Sequence, residues 1–345
     1  MTRALLVKLS SMGDIFHSFP ALSDLQQARP DVELDWLVEP QFAEIAAWHP
    51  AVRDVLPMPL RRWLKDRHLE DWRAFRAWKA SMAERPYDLV LDAQGLVKSA
   101  LISRCVKAQR HHGLSRDSVR ESPAAAFYQE RHRVAPGQHA VLRNRQLFAA
   151  SFDYALPEGL NFGIQVRFAG VERDRHKLVL IPGTSWVTKL WSLTQWRQLC
   201  RLALDAGYAV EMIWGSDAER QWVEQLRASV PQVQSSSQRL SIGQVAEKLV
   251  AAAGAVGMDT GFTHLAGALE TPTVALYGPT SPDRVGLIGE HTANLHLSPA
   301  LDCMPCHKRR CARLPRHSQD TPPCLAGLAT ERVWEQLQVL LPPQP

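Results

Sequence analysis

Two doubly wound α/β domains, each built on a parallel sheet, are what the 345 residues predict. Three observations carry this expectation. Strand-like apolar runs alternate with helical patterns along both halves of the chain. The runs "ALLVKL" and "KLVLIPG" are continuously apolar, as strands covered on both faces are. Between Leu156 and Lys177 the periodicity is lost in the polar "LPEGLNFGIQVRFAGVERDRHK", and a second strand–helix series follows it.

Taken in order, "ALLVKL" is the first strand. "IFHSFPALSDLQQARP" has helical spacing, with Pro20 early enough for a first-turn or kink proline. "VELDWLV" reads as a strand and "WLKDRHLEDWRAFRAWKASM" as one basic amphipathic helix. "YDLVLDAQG" is a strand ending in a polar turn, and "LVKSALISRCV" is helical. In the second half, Ser192-Leu193-Thr194-Gln195 fits a capping box opening a helix that Gly207 ends. "YAVEMIWG" is a strand, and Ser241-Ile242-Gly243-Gln244 caps the helix "VAEKLVAAAG". "AVGMD", "THLAGALE" and "TVALYG" give strand, helix, strand, and "TERVWEQLQVLL" is a last amphipathic helix. The expected division is an N-terminal domain over 1–160, a linker over 161–176, a C-terminal domain over 177–328, and a helix and tail over 329–345.

Composition is ordinary for a globular protein, 46% hydrophobic and 22% charged. No apolar run reaches the roughly 18 residues of a membrane span. The opening "MTRALLVKLSSMGD" holds too short an apolar run for a secretory signal, so a cytoplasmic address is expected. The net charge of +5 is uneven: Arg61 to Arg145 carries 18 Lys/Arg against nine Asp/Glu. Such a bias implies either an anionic partner or a solvated basic surface.

Ligands of open α/β sheets bind outside the carboxyl ends of the strands, so two facing domains predict a cleft lined by those turns. "IPGTSWVTKLWS" offers Gly183, the hydroxyls of Thr184 and Ser185, and the cation Lys189. "MDTGFTHLAG" offers Asp259, Thr260, Gly261 and His264. Backbone N–H groups at a helix start, close approach at glycine, and hydroxyls make an anion cradle, and two such turns suit a diphosphate. "EMIWGSDAER" places Trp214 and Gly215 at a strand end, where a nucleoside fits, and Glu219 in the next helix is either part of that site or an ordinary first-turn helix acid. Neither a Walker loop nor G-x-G-x-x-G is present, which argues against a kinase or a standard dinucleotide dehydrogenase. In the first domain Asp14 follows Gly13 in "KLSSMGDIFH". On local grounds it is a helix-start acid, and a carboxylate kept ionised there also suits a general base.

The segments "LLVKLSSMGDIFHSFPAL", "DWLVEPQFAEIAAWHP", "RRWLKD", "YDLVLDAQGLVKSA", "SRDSVRES", "HAVLRNRQLFA", "TKLWSLTQW" and "MDTGFTHLAGALETPTVALYGPTSP" together resemble the lipopolysaccharide heptosyltransferases of glycosyltransferase family 9. The likeness runs from Leu5 to about Pro282. It implies a GT-B fold, two Rossmann-like domains facing across a cleft, and an inverting enzyme. The implied donor is ADP-heptose and the implied acceptor Kdo2-lipid A. The loop pattern "SSMGD-x-x-H-x-x-P" favours the branch that transfers the first heptose. A family 9 enzyme with another heptose acceptor or another nucleotide sugar is the alternative.

Carried over by residue, the resemblance makes Asp14 the base and Lys189 the contact of the donor diphosphate. Thr184, Ser185, Asp259, Thr260, Gly261 and His264 become donor contacts. Arg61, Arg62, Lys65, Arg120 and Arg143 fall on the acceptor side, where Ser11 and Gly13 flank the base and Gly13 lets the backbone turn. Phe262 and Thr263 stand where the family pattern leads one to expect Leu and Ser. No metal is required in this reading, because Lys189 and helix N-termini meet the leaving-group charge. The expected setting is a single chain in peripheral contact with the cytoplasmic face of the inner membrane, with the basic helix around Trp63–Trp78 one candidate contact, and without nucleic acid.

Cys303, Cys306, Cys311 and Cys324 cluster in "CMPCHKRRCARLPRHSQDTPPC". The opening C-x2-C allows a structural zinc, but the later spacings are irregular, so reversible thiols or disulfides and unligated cysteines stay open. A zinc-dependent nucleic-acid binder, suggested by the pI near 9.0, leaves the two cradle turns unexplained. Cys105 and Cys200 sit in apolar helical patterns and are expected in the core.

Overall fold

The computed structural model describes residues 1–66, 68–316, 318 and 320–342, so the last three residues of the expected 329–345 tail lie outside the described residues. The chain forms two compact units, Met1–Ile164 and Gln165–Pro345.

In the first unit, six strands are β1 (Thr2–Val7), β2 (Val32–Val38), β3 (Val52–Pro57), β4 (Tyr87–Asp92), β5 (Ala108–Leu114) and β6 (Glu130–His132). All pair in parallel, in the order β3-β2-β1-β4-β5-β6. The order reverses between β1 and β4, and the turns after those two strands flank the crevice where such sheets bind ligands. Leu5, Val7, Leu37 and Val90 are fully buried on the sheet, and Trp63, Phe75 and Trp78 pack over them. β3, β5 and β6 have no clear apolar pattern. β3 lies at the sheet edge and carries Arg53, whose guanidinium grips buried Asp35 on β2 at 3.0 Å.

Pro20 stands in the first turn of helix Phe19–Ala28, and a separate short helix, Met12–Phe16, precedes it. The expected single basic helix is two, Leu60–Asp66 and Leu69–Ala83. The second starts at its own cap, where the His68 N–H donates to Asp71 Oδ2 at 3.2 Å.

The second unit holds β7 (Asp174–Ile181), β8 (Ala209–Met212), β9 (Gln234–Ser235), β10 (Ala252–Met258), β11 (Thr273–Tyr277) and β12 (Thr292–His296). Their parallel order is β12-β11-β10-β7-β8-β9, the same winding with its reversal between β7 and β10. Both capping boxes form. Ser192 Oγ accepts from the Gln195 N–H at 3.1 Å, and Ser241 Oγ from the Gln244 N–H at 3.2 Å. Gly207 ends the first of these helices at φ +86°, where a side chain would be strained. Trp191 and Trp196 meet edge to face at 5.2 Å inside the core around Leu178, Leu180 and Cys200. Cys200 is a core residue whose thiol burial pushes up to about 12. Cys105 is only partly buried, because it caps helix Val97–Arg104 and bonds Leu101 O through Sγ at 3.4 Å.

Candidate active site

In the first unit, β1 hands over to helix Met12–Phe16 through 8–11. Asp14 is the third residue of that helix. The Ser11 N–H and Oγ donate to its Oδ2 at 2.9 and 2.8 Å, so Oδ1 is the oxygen available to a substrate proton. Behind it lies Lys8, buried, with Nζ donating to Ala93 O at 2.9 Å. Burial opposes ionisation of Asp14, but Lys8, His17 and the Ser11 bonds outweigh it and hold its pKa below the ordinary carboxylate value. Burial lowers the Lys8 pKa, while Asp14 and Asp92 pull it back up.

The turn after β4 clamps this arrangement. Gln94 Oε1 accepts from the Leu9 and Ser10 N–H groups at 3.0 and 3.1 Å. Asp92 accepts from the Gln94 and Gly95 N–H groups, Ser99 Oγ and Tyr128 OH at 2.8 to 3.1 Å. Arg61 is drawn in, donating from Nη2 to Ser10 Oγ at 2.7 Å. Arg120 and Arg143 lie close enough for their charges to reach Lys8, and Arg143 also donates to Ser118 O. Arg62 instead turns to Asp71 at 3.4 Å. Lys65 is exposed in the last turn of helix Leu60–Asp66. Gly13 is a helical residue rather than a tight-turn residue, because the helix begins at Met12. A polar hydroxyl substrate at Oδ1 of Asp14 would therefore meet an ionised acceptor of protons fringed by guanidinium groups.

In the second unit, the loops after β7, β8 and β10 come together. Lys189 Nζ bonds Asp259 Oδ2 at 2.6 Å, Thr280 Oγ1 donates to the same oxygen at 2.6 Å, and His264 Nε2 lies 3.4 Å from Oδ1. Burial works against ionisation of Asp259, but the His264 bond and the Lys189 charge outweigh it and hold its pKa well below the carboxylate range. Asp259 is thus placed as the partner that orients Lys189. Trp186 packs against Lys189 Nζ at 4.7 Å and against the Arg309 guanidinium at 5.0 Å. Thr260 precedes helix Gly261–Ala268 in extended backbone and makes no side-chain cap bond to it, so the start of that helix is a place for an anion. Ser185 is exposed and Thr184 partly so on the same loop.

Glu219 joins the other two loops. It accepts from the Gly215 N–H at 2.6 Å through Oε2, and a Cβ on Gly183 would lie 2.4 Å from its carboxyl carbon. Only glycine at 183 leaves that carboxylate its place. Trp214 is buried, donates to Ser236 O at 3.0 Å and carries Arg220 over its ring at 5.6 Å. A carboxylate at this edge suits a ribose diol, and the Lys189 turn suits a diphosphate.

The four clustered cysteines line one small cavity, from exposed Cys303 to buried Cys324, and all are free. Burial, then the neighbouring Cys311, Cys306 and Cys303, push the Cys324 thiol up to about 11. Among the described residues, no three His, Cys, Asp or Glu are placed to hold a metal ion, so the zinc option meets no formed group. The cysteine strap is pinned to the Lys189 loop, where Thr188 Oγ1 donates to Lys308 O at 2.9 Å.

The family model described as Glycosyltransferase family 9 (heptosyltransferase) matches residues 75–317. The chain belongs to family 9. It is 42% identical to lipopolysaccharide heptosyltransferase 1 of Pseudomonas aeruginosa, over 98% of each chain. The Escherichia coli K12 protein of the same name is 39% identical over 85% of this chain and 92% of its own. The solved E. coli heptosyltransferase WaaC with ADP superposes with a TM-score of 0.85 at 33% identity, covering 98% of this chain and 99% of that one. This family 9 member is therefore a glycosyltransferase of GT-B fold.

Some site residues of this family 9 member were not singled out in the sequence. Lys8 lies inside the apolar run "ALLVKL", and a lysine inside such a run is itself a signal of a buried charge partner. Gln94 and Thr280 carry no pattern in the sequence, since their importance lies in which loop they reach.

Proposed function

We propose that the protein moves L-glycero-D-manno-heptose from ADP-heptose to a hydroxyl of the Kdo region of Kdo2-lipid A, adding the first heptose of the lipopolysaccharide inner core. The first unit takes the acceptor and the second takes the donor. Asp14 removes the proton of the attacking hydroxyl. The oxygen forms a bond to the anomeric carbon from the face opposite ADP, the bond to the β-phosphate breaks, and ADP leaves with the electron pair. The configuration inverts. Lys189, held by Asp259, meets the growing charge on the diphosphate, and Glu219 receives the ribose.

The observation that supports this best is Asp14 itself, a carboxylate kept ionised in a turn fringed by Arg61, Arg120 and Arg143. Such a fringe matches an acceptor rich in carboxylate and phosphate. ADP, held by the solved E. coli relative, is the product this donor reading requires. Turnover needs no metal on this reading, and it takes place at the cytoplasmic face of an anionic membrane that holds the acceptor. No helix among the described residues is long and apolar enough to cross one.

The test is ADP release from ADP-heptose with Kdo2-lipid A, run with and without a chelator. Release insensitive to chelation is expected. Release only with another nucleotide sugar, or only with an acceptor that already carries heptose, would reassign the enzyme within its family.

A further inference from the structure

Helix Leu69–Ala83 packs some of its aromatic residues on the sheet and leaves another in solvent. Phe75 and Trp78 face inward, stacked at 5.8 Å, and pack with Trp63 on the sheet. Asp71 and Met82 complete that buried stripe. Beyond that stripe, large apolar side chains stand in solvent: Leu69 is 79% exposed and Trp72 62%. Arg73, Arg76 and Lys79 stand exposed around them. Leu64, on the adjoining helix Leu60–Asp66, is 49% exposed beside Lys65.

Exposed Trp and Leu that stand together mark a contact surface, and their neighbours say what kind of surface it meets. Residues 60–83 carry seven Lys/Arg against Asp66, Glu70 and Asp71. Asp71 is buried and already answered by Arg62. A helix with Trp and Leu set among Lys and Arg is the composition that lies in the headgroup region of a bilayer, apolar rings at the acyl boundary and cations on the phosphates.

We propose that the outer face of helix Leu69–Ala83, centred on Leu69, Trp72, Arg73 and Arg76, docks the enzyme on a bilayer rich in anionic phospholipid. This rests on the reading of the acceptor as membrane-borne, and it says where the protein meets that membrane. The face adjoins helix Leu60–Asp66, whose Arg61 reaches Ser10 beside Asp14. Docking there delivers a headgroup sugar to the base while its acyl chains stay in the bilayer.

The full chain is sedimented with vesicles of phosphatidylcholine alone and of phosphatidylcholine with phosphatidylglycerol. ADP release is measured in parallel with a water-soluble, deacylated acceptor. Wild type is expected to bind the anionic vesicles and to be released by high salt. Arg73→Gln/Arg76→Gln is expected to weaken binding by about fivefold per cation removed, and Leu69→Gln/Trp72→Gln to weaken it at least tenfold. Both variants keep wild-type kcat/KM on the soluble acceptor. Variants that sediment like wild type would overturn the proposal, as would equal binding to neutral vesicles. So would a switch from dimer to monomer in the Leu69/Trp72 variant, which would make the face a contact between copies. Absence of turnover on the soluble acceptor by wild type would instead overturn the functional reading and leave the vesicle result to stand alone.

Discussion

Lys189 Nζ and Asp259 Oδ2 are 2.6 Å apart, and both side chains are largely buried. Thr280 shares the same oxygen and His264 takes the other. A cation in a pocket closed on one side by its own carboxylate is held in a single place, ready to bind an anion that arrives from the other. Lys189→Met is expected to lower kcat by 10²- to 10³-fold, as loss of one charge-stabilising donor does elsewhere. Asp259→Asn should fall by a similar factor, although Asp259 bears no positive charge, because Lys189 loses its orientation. Steady-state kinetics of the two variants and of the double variant check this. A double variant no worse than either single one means the pair acts as a unit.

Asp14→Asn is expected to fold, to keep ADP-heptose affinity and to lose about 10²- to 10⁴-fold in kcat, the range of general-base catalysis. Donor binding by calorimetry beside the kcat separates this from misfolding. A kcat within tenfold of wild type would remove Asp14 from the chemistry.

Lys8 predicts the pH dependence. After burial, which works the other way, its charge is the largest influence on Asp14 and favours the carboxylate. The acidic limb of kcat/KM, where Asp14 gains its proton, should lie below the usual carboxylate pKa. Lys8→Met should move that limb to higher pH and leave the alkaline limb in place. A limb that does not move would show that the Ser11 bonds and His17 suffice.

Glu219→Gln is expected to raise the KM for ADP-heptose about tenfold with little change in kcat, since a ribose contact is the same in ground and transition states. Gly183→Ala should do the same through a different cause. Its new methyl would lie 2.4 Å from the Glu219 carboxyl carbon and push it aside. A fall in kcat alone would move Glu219 from binding to chemistry.

His49 makes an acid-sensitive element of the first unit, packed against Phe19 at 5.5 Å. Burial lowers its pKa to about 4. Its Nδ1 accepts from the Ala51 N–H at 3.1 Å, and Nε2 meets Ser23 Oγ at 2.9 Å, so the neutral ring is the form that fits. A histidine with a native pKa below its unfolded value binds its proton first in the unfolded chain. Stability from this residue is then full above about pH 6.5 and is lost as pH falls toward about 4, by up to about 3 kcal/mol. Urea midpoints at pH 7 and pH 5 should differ for wild type and differ less for His49→Gln.

The central strands were legible because strands covered on both faces must be apolar throughout, and β1, β4, β7, β10 and β11 all stand out as such runs. The capping boxes at Ser192 and Ser241 were legible because a cap is a local bond between residues three apart. Edge strands such as β3 were not, since a half-solvated strand mixes charged and apolar residues freely. Helices Leu60–Asp66 and Leu69–Ala83 read as one in the sequence because their apolar residues keep a single helical period.

Within the turns, sequence alone determined which residues could carry chemistry: Asp14, Lys189, Glu219 and the cradle around Thr260 each sit just past a strand end. Tertiary structure decided what surrounds each of them. It put Lys8 behind Asp14 and Gln94 across from it, turned Asp259 toward Lys189, and set Glu219 against Gly183. It also brought the four cysteines to one cavity. The physical reason is range. Strand and cap propensities act over a few residues and are written in adjacent letters. The bond that aims Lys189 comes from Asp259, 70 positions away, and the bond that clamps the Asp14 turn joins Leu9 to Gln94, 85 positions away, and only the closed sheet brings those together.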